Sequence, residues 1–150
     1  MRTTRLFPFG IVGLMTAMLT TLPAGHAADR ALDPQEQANL ANFDDLGFNV
    51  YSNQRWDQLG RSHAKNIVVH YPNGSTTTGL DPHIAALKPM FVFAPDHKII
   101  DHPSRIASGN WTTVMGTMTG TFTQPMPVGD GKTIAPTGKA FKLDMVTISR

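Results

Sequence analysis

The stretch "TGTFTQPMPVGDGKTIAPTGKAFKLDMVTISR" (119–150) decides the fold, because it holds two strand-like runs joined by a loop rich in glycine and proline. Within the loop, "GDGKT" (129–133) has a superficial likeness to a phosphate-binding loop. Such a loop needs an earlier glycine at the position held here by Met126, and a helix after it. Because a proline and a strand follow instead, the sequence predicts a β-hairpin and no nucleotide site.

Further strands are predicted before this hairpin. "WTTVMGTMTGTFT" (111–123) is a long, threonine-rich strand, and its interior glycines, Gly116 and Gly120, indicate a bulge or strong curvature. "HKIIDHPSRIA" (97–107) is strand-like with a proline interruption, and residues 108–110 form a turn. The odd spacing of His97 and His102 places these two side chains on opposite faces of an extended strand.

The first half of the chain is mainly helical by pattern. Asp33-Pro34 begins a helix that runs to Gly47, and Asn53 caps a short second one. Residues 66–74 form a strand and a turn, and residues 79–95 form a helix that Pro89 perturbs. Helices followed by curved antiparallel strands predict an α+β domain, in which N-terminal helices pack on a curved sheet and enclose a cone-shaped pocket for a small ligand.

The first 27 residues have the three parts of a secretory signal peptide: Arg2 and Arg5, an apolar run over 6–22, and small residues before a cleavage point after Ala27. The alternative is a membrane anchor, but proline, glycine and threonine interrupt the apolar run. We therefore expect a single exported domain over 28–150, without stable membrane insertion. The chain has no cysteine, which favours a bacterial periplasm over a disulfide-stabilised scaffold.

Charge argues against nucleic-acid binding. The chain has 13 lysines and arginines against 11 acidic residues, and the signal region holds two of the basic ones, so the mature chain is formally neutral. No basic cluster remains that would attract a phosphate backbone.

Acid/base chemistry is the catalytic mode that the side chains favour. The chain has no cysteine nucleophile and no Gly-x-Ser-x-Gly motif, and because it also has no His-Glu-x-x-His motif we expect no metal. The candidate acids and bases are His70, Asp101 and His102, with Asp81 and His83 at a helix start. Asp81 fits equally well as a helix cap.

One face of the long strand is a candidate pocket wall. Val114, Met118 and Phe122 share this face with the two glycines, while Trp111, Thr113, Met115 and Thr117 share the other. The pattern fits ordinary core packing equally well.

Three stretches carry a resemblance to a known family: "NFDDLGFNVYSNQRWDQL" (42–59), "HYPNGSTTTGLDPHIAALKPMFVFAPD" (70–96) and "MTGTFTQPMPVGDGKTIAPTGKAFKL" (118–143). Together they resemble the SnoaL-like polyketide cyclase (ester cyclase) family of the nuclear-transport-factor-two-like superfamily, over roughly residues 36–148. The resemblance implies a cone-shaped α+β barrel and a cofactor-free intramolecular aldol cyclisation on a small hydrophobic carbonyl compound. It also implies a homodimer formed through the sheet. We expect Trp56, Phe91, Val114, Met118 and Phe122 to line the pocket.

The chain departs from the family pattern at two points. Met118 stands where the cyclases commonly have a histidine, and the chain ends at Arg150, before the strand that carries the main catalytic aspartate of the family. We expect from this a truncated product or a sheet edge that another chain supplies. The alternatives are therefore an exported cyclase or isomerase, a non-catalytic small-ligand-binding domain of the same fold, and a truncated product with little activity.

Overall fold

The first helix forms because its sequence defines its first turn. The computed structural model describes residues 30–150, and the expected signal peptide lies outside them. Helix α1 spans Pro34–Asp45. The carboxylate of Asp33 accepts from the Glu36 backbone N–H while Glu36 accepts from the Asp33 N–H, a complete capping box. The predicted start of this helix is confirmed.

After Asp45 the chain does not leave the helix but widens into a π-helix, Leu46–Tyr51. A 3-10 helix follows at Trp56–Arg61, where the short second helix is predicted. The expectation that Asn53 caps this helix is wrong. The Asn53 side chain donates backward to the carbonyls of Phe48 and Asn49 and so closes the π-helix.

The middle of the chain contains a hairpin and two short helices. Strands β1 (Val68–His70) and β2 (Thr76–Thr78) pair antiparallel around the predicted turn. Helix α2 spans Leu80–Leu87 and α3 spans Pro89–Phe93. Pro89 divides the two, as expected for a residue without a backbone donor.

The main sheet has the order β3–β4–β7, with β3 at Lys98–Ser108, β4 at Trp111–Thr121 and β7 at Ala140–Ser149, all antiparallel. The loop between β4 and β7 holds a two-residue ladder of β5 (Met126–Pro127) and β6 (Thr133–Ile134). These elements confirm the α+β class, helices packed on an antiparallel sheet. Residues 31–150 form one compact unit.

The two faces of this sheet differ in cover. The helical face is the side on which α1 packs, where Leu40 contacts Val114 and Ala107 in the core. Val114, Gly116, Met118 and Gly120 of β4 are buried on this face, as the alternation predicts. The open face is the other side.

The irregularity of the sheet lies on β3 and not at the glycines of β4. Register shifts occur between Ile99 and Asp101 and between Asp101 and Ser104. The expectation that His97 and His102 lie on opposite faces is wrong, because these shifts break the alternation. His97 packs against Phe141, opposite Gly120, and His102 lies beside Gly116, so both are on the helical side.

Candidate functional site

A buried histidine and a helix-borne carboxylate form the centre of the candidate site. Asp44 stands in the last turn of α1, and His102 lies on β3, which α1 crosses. The Nδ1 atom of His102 is 2.7 Å from Oδ1 of Asp44, and the imidazole is only 2% exposed. Phe43 meets the ring edge-on at 5.6 Å between centroids, and Phe48 lies across it at 4.4 Å.

The contact with Asp44 determines the tautomer of the neutral ring. A carboxylate accepts, so Nδ1–H is the donor, and in the neutral imidazole the lone pair is then on Nε2. This Nε2 atom is buried and has no hydrogen-bond partner among the described residues. Buried polar atoms in proteins nearly always have a partner, so an exception of this kind needs a functional or structural explanation.

Two glycines surround this unpartnered nitrogen. A Cβ atom added at Gly47 would lie 3.0 Å from Nε2 and 2.9 Å from Cε1, so any side chain there would force the His102 ring to shift. A Cβ atom at Gly116 would lie 3.9 Å from Nε2, an ordinary contact distance. The π-helix places Gly47, and π-helical turns occur often at functional sites.

An uncovered apolar strip lies beside Gly116. Met145 pairs with Gly116 and Leu143 with Met118, so both β7 side chains are on the helical face. They are nevertheless 39% and 51% exposed. We call Leu143 and Met145 the β7 ledge. Gly116 carries no side chain, and His102 and Ile99 are the neighbours nearest to the place where its Cβ atom would be.

His97 provides a contrast, since both of its ring nitrogens are used. Its Nδ1–H donates to the Thr119 carbonyl at 3.0 Å, so Nε2 accepts from the Tyr51 hydroxyl, also at 3.0 Å. Burial lowers the pKa of His97 and raises the pKa of Tyr51, which keeps both groups neutral. This pair ties the π-helix to the sheet and has no nitrogen left for a substrate.

A third histidine cluster lies at the other end of the domain. His83 is 7% exposed, contacts the Tyr71 hydroxyl through Nδ1 at 2.9 Å, and lies against His63 with ring centroids 5.1 Å apart. Burial, with a smaller contribution from His63, lowers the pKa of His83 to about 4. Shallow surface grooves of about 460 Å³ and 440 Å³ lie beside Tyr71 and His63 respectively, and His102 is not among the residues that line them.

The other predicted acid/base residues lie elsewhere. His70 is an exposed residue of β1, whose Nδ1 lies 3.1 Å from the Thr76 hydroxyl across the hairpin. Asp101 is exposed and pairs with Thr117 on the open face, so the structure does not bring it to His102. Asp81 is in the first turn of α2 and makes no side-chain cap.

The predicted pocket residues divide into three places. Trp56 and Phe91 pack together edge-on at 5.5 Å, in the aromatic group around Tyr51. Val114 lies in the core, and Met118 is buried opposite Leu143. Phe122 follows the end of β4 and packs on Phe93 at 5.6 Å.

The residue that sequence reasoning missed is Asp44. It stands within the quoted stretch "NFDDLGF", but 58 positions separate it from His102. No local pattern relates such distant residues, and only an observed pairing of α1 with β3 would have found it. Within residues 30–150 no cluster of three or more metal-ligating side chains exists, and no helix there is long and apolar enough to cross a membrane.

With the fold and this site described, comparison with known proteins identifies the class. A profile of the SnoaL-like polyketide cyclase family matches residues 43–150. The chain therefore belongs to this family, and the expected resemblance is confirmed.

Solved structures agree with this assignment at the level of the fold. A protein from Jannaschia sp. CCS1 named as a SnoaL-like polyketide cyclase superposes with a TM-score of 0.68 at 17% identity, over 79% of this chain and 80% of that one. IdmH of Streptomyces antibioticus, named as a polyketide cyclase, gives 0.60 at 17% identity, over 75% and 81%. A protein so named from Xanthomonas campestris pv. campestris gives 0.62 at 13% identity, over 75% and 80%. A search of curated protein sequences finds no match.

Proposed function

We propose that this chain catalyses proton transfer at carbon, with His102 as the general base, on a small apolar carbonyl compound. The observation that carries the proposal is the buried Nε2 of His102, which has no hydrogen-bond partner among residues 30–150 while Asp44 holds Nδ1. A histidine held in one tautomer by a carboxylate is well arranged to act as a general base.

The proposed step needs no reactant other than the substrate and the side chains of this chain. Nε2 removes a proton from the carbon next to the carbonyl, and the electron pair of that C–H bond forms the enolate. Asp44 stabilises the imidazolium that results. The enolate carbon then attacks a second carbonyl of the same molecule in an aldol closure, or takes a proton back at a different carbon in an isomerisation. His102 returns its proton to the new alkoxide or carbon.

The surroundings of His102 favour an apolar substrate. Phe43 and Phe48 enclose the ring, and the β7 ledge offers exposed apolar surface on the other side of Gly116. Since Nε2 itself is buried, a substrate on the ledge reaches it when the side chains around it move, among them Ile99, which lies beside both glycines. The return of these side chains behind the substrate excludes water, which strengthens the electrostatic contribution of Asp44.

Proton exchange at carbon tests the proposal without knowledge of the natural substrate. The full chain is incubated in D₂O with a panel of apolar β-keto esters and cyclic enones, and deuterium incorporation is followed by NMR. We expect H102A to lower the exchange rate by roughly 10² to 10⁴-fold. H70A is the control, because that exposed histidine contacts only its own hairpin. Equal rates for H102A and the unaltered chain would rule out His102 as the base.

A second candidate function is non-catalytic binding of a small apolar molecule. Met118 favours it, because a thioether occupies the position where the family commonly has a histidine, and it cannot transfer a proton. If the unaltered chain binds panel members but exchanges no proton, and H102A binds them equally well, this second function is the correct one. We also propose, on the N-terminal sequence pattern, that the protein acts after export, in a periplasm.

A further inference from the structure

We propose that Arg105 is a positioning residue for His102 and acts through Asp44; this inference rests on the proposed function of His102. Asp44 uses both carboxylate oxygens: Oδ1 accepts from Nδ1 of His102 at 2.7 Å, and Oδ2 accepts from Nη1 of Arg105. Arg105 pairs with Val114 and so lies on the same helical face of β3 as His102. One carboxylate therefore bridges the arginine and the histidine.

The bridge fixes the orientation of Asp44. A carboxylate held at one oxygen can rotate about its last bond, and Asp44 is 27% exposed, so water competes for it. Arg105 holds the second oxygen with a charge-assisted hydrogen bond, which is stronger and more directional than a neutral one. With both oxygens held, Oδ1 stays on the line of Nδ1–H, and the proton of neutral His102 stays on Nδ1.

Loss of Arg105 should therefore change the tautomer of His102, because Arg105 acts on this ring through Asp44. Once Asp44 can rotate, the preference for the Nδ1–H tautomer weakens, and a larger part of the population carries the proton on Nε2. A ring with Nε2–H cannot accept a proton there, so the active fraction of the enzyme falls. Substrate binding on the β7 ledge does not involve Arg105 and should be unchanged.

The chain contains a matched control for this effect. Arg61 pairs with Asp45, the next residue of α1, at 3.1 Å between Nη2 and Oδ2. The other oxygen of Asp45 accepts from Asn49 at 2.9 Å, on the outside of the helix. Both arginines are therefore partly exposed partners of an aspartate at the end of α1, but only the partner of Arg105 contacts His102.

The experiment reads the His102 tautomer directly in the full chain. Long-range ¹H–¹⁵N spectra distinguish protonated from unprotonated ring nitrogens, and H102Q assigns the signals. We expect R61Q to match the unaltered chain, R105Q and R105M to show a mixture of tautomers, and R105K to keep the original one. R105M retains the aliphatic stem and is read alone if R105Q does not fold.

Activity provides the second readout. We expect R105Q to lower kcat for deuterium exchange by roughly tenfold, which corresponds to about 1.4 kcal/mol of transition-state stabilisation, with KM within about twofold of the original. If R105Q and R105M keep the tautomer of R61Q, the positioning role is wrong. If the tautomer changes but the unaltered chain exchanges no proton, the positioning role stands and the proposed catalytic function fails.

Discussion

At the scale of single residues, the two glycines beside His102 differ in how closely they approach its ring. A methyl group at Gly47 would lie 2.9 Å from Cε1, whereas one at Gly116 would lie 3.7 Å from Cδ2. We expect G47A to destabilise the fold by about 1–2 kcal/mol, since the strain exceeds the gain in helix propensity. G116A should change the unfolding free energy by less than about 0.5 kcal/mol, because it makes only ordinary contacts.

Urea denaturation of both variants measures this difference, and proton exchange adds a functional comparison. G116A adds a methyl group beside Nε2 on the side of the β7 ledge, so it should slow exchange although the fold is intact. Equal stability of G47A and G116A would contradict the close packing of the ring on Gly47. Unchanged exchange in G116A would contradict the proposed route to Nε2.

His83 gives a pH dependence whose sign can be worked out. Its folded-state pKa of about 4 lies below the ordinary value of 6.5, because burial disfavours the charged ring. Between these values the unfolded chain binds the proton more readily, so stability is lost as the pH falls from about 6.5 towards 4. The shift corresponds to a loss on the order of 3 kcal/mol at the acid end.

Chemical denaturation at about pH 7 and about pH 5 tests this prediction. H83Q keeps a polar side chain for Tyr71 but cannot titrate, so its stability should depend less on pH than that of the unaltered chain. H70A, at an exposed position, is the control and should keep the full dependence. An unaltered slope in H83Q would show that other groups cause the acid destabilisation.

The histidines also show what the sequence can and cannot reveal at this scale. His102 is a candidate from its residue type and its place on a strand, but the sequence gives it no advantage over His70. The difference arises from their contacts. His102 contacts Asp44 on a distant helix, whereas His70 contacts Thr76 within its own hairpin. The free Nε2 follows from those contacts and not from spacing.

At the scale of elements, Ser52 joins the π-helix to the sheet. Its Oγ donates to the Gly47 carbonyl at 2.6 Å and accepts from the Ile99 backbone N–H at 2.9 Å. S52A leaves that N–H without its partner and should cost about 1–3 kcal/mol. Because Gly47 and Phe48 then lose their anchor beside His102, proton exchange should fall as well.

S62A is the comparison for this element. The Ser62 hydroxyl contacts the Leu59 carbonyl at 3.2 Å and Nδ1 of its neighbour His63, without linking to the sheet. The two variants should therefore differ. S52A should lower both the thermal unfolding temperature and the exchange rate, whereas S62A should lower the unfolding temperature alone. Full exchange activity in S52A would show that the π-helix does not need this link to hold its place.

Element starts were predictable where local chemistry decides them. Asp33-Pro34 with Glu36 defines the start of α1, and Pro89 defines the break between α2 and α3. The π-helix was not predictable from local sequence, because its widened turn depends on distant contacts. Ser52 accepts from the backbone of β3, and Tyr51 contacts His97. The three-residue strand β2 was also missed, since a run of three threonines has no alternation to distinguish it from a loop.

At the scale of the whole molecule, the open face of the sheet has two different ends. One end is apolar, with Ile106, Trp111, Val146 and Ile148 between 51% and 67% exposed. At the other end, Lys98 and Lys142 flank Thr119, and Asp101 and Asp144 flank Thr117 in the adjacent row. These two rows of opposite charge lie next to each other and beside the apolar patch. A twofold axis would place the lysine row of one copy on the aspartate row of another, so the open face is complementary to itself.

We therefore expect a homodimer that buries the open face. The four large apolar side chains of this patch are each more than half exposed, and monomers rarely leave a contiguous apolar patch larger than a few hundred Å² uncovered. V146K puts a charge in its centre and should shift the protein to monomers in sedimentation velocity. V128K is the control, since Val128 is similarly exposed (51%) but lies in the loop between β5 and β6.

Because His102 lies on the helical face, V146K should keep its proton-exchange rate per chain, which separates assembly from catalysis. An unaltered chain that is monomeric at micromolar concentration, or a V146K variant that remains dimeric, would exclude the open face as the interface.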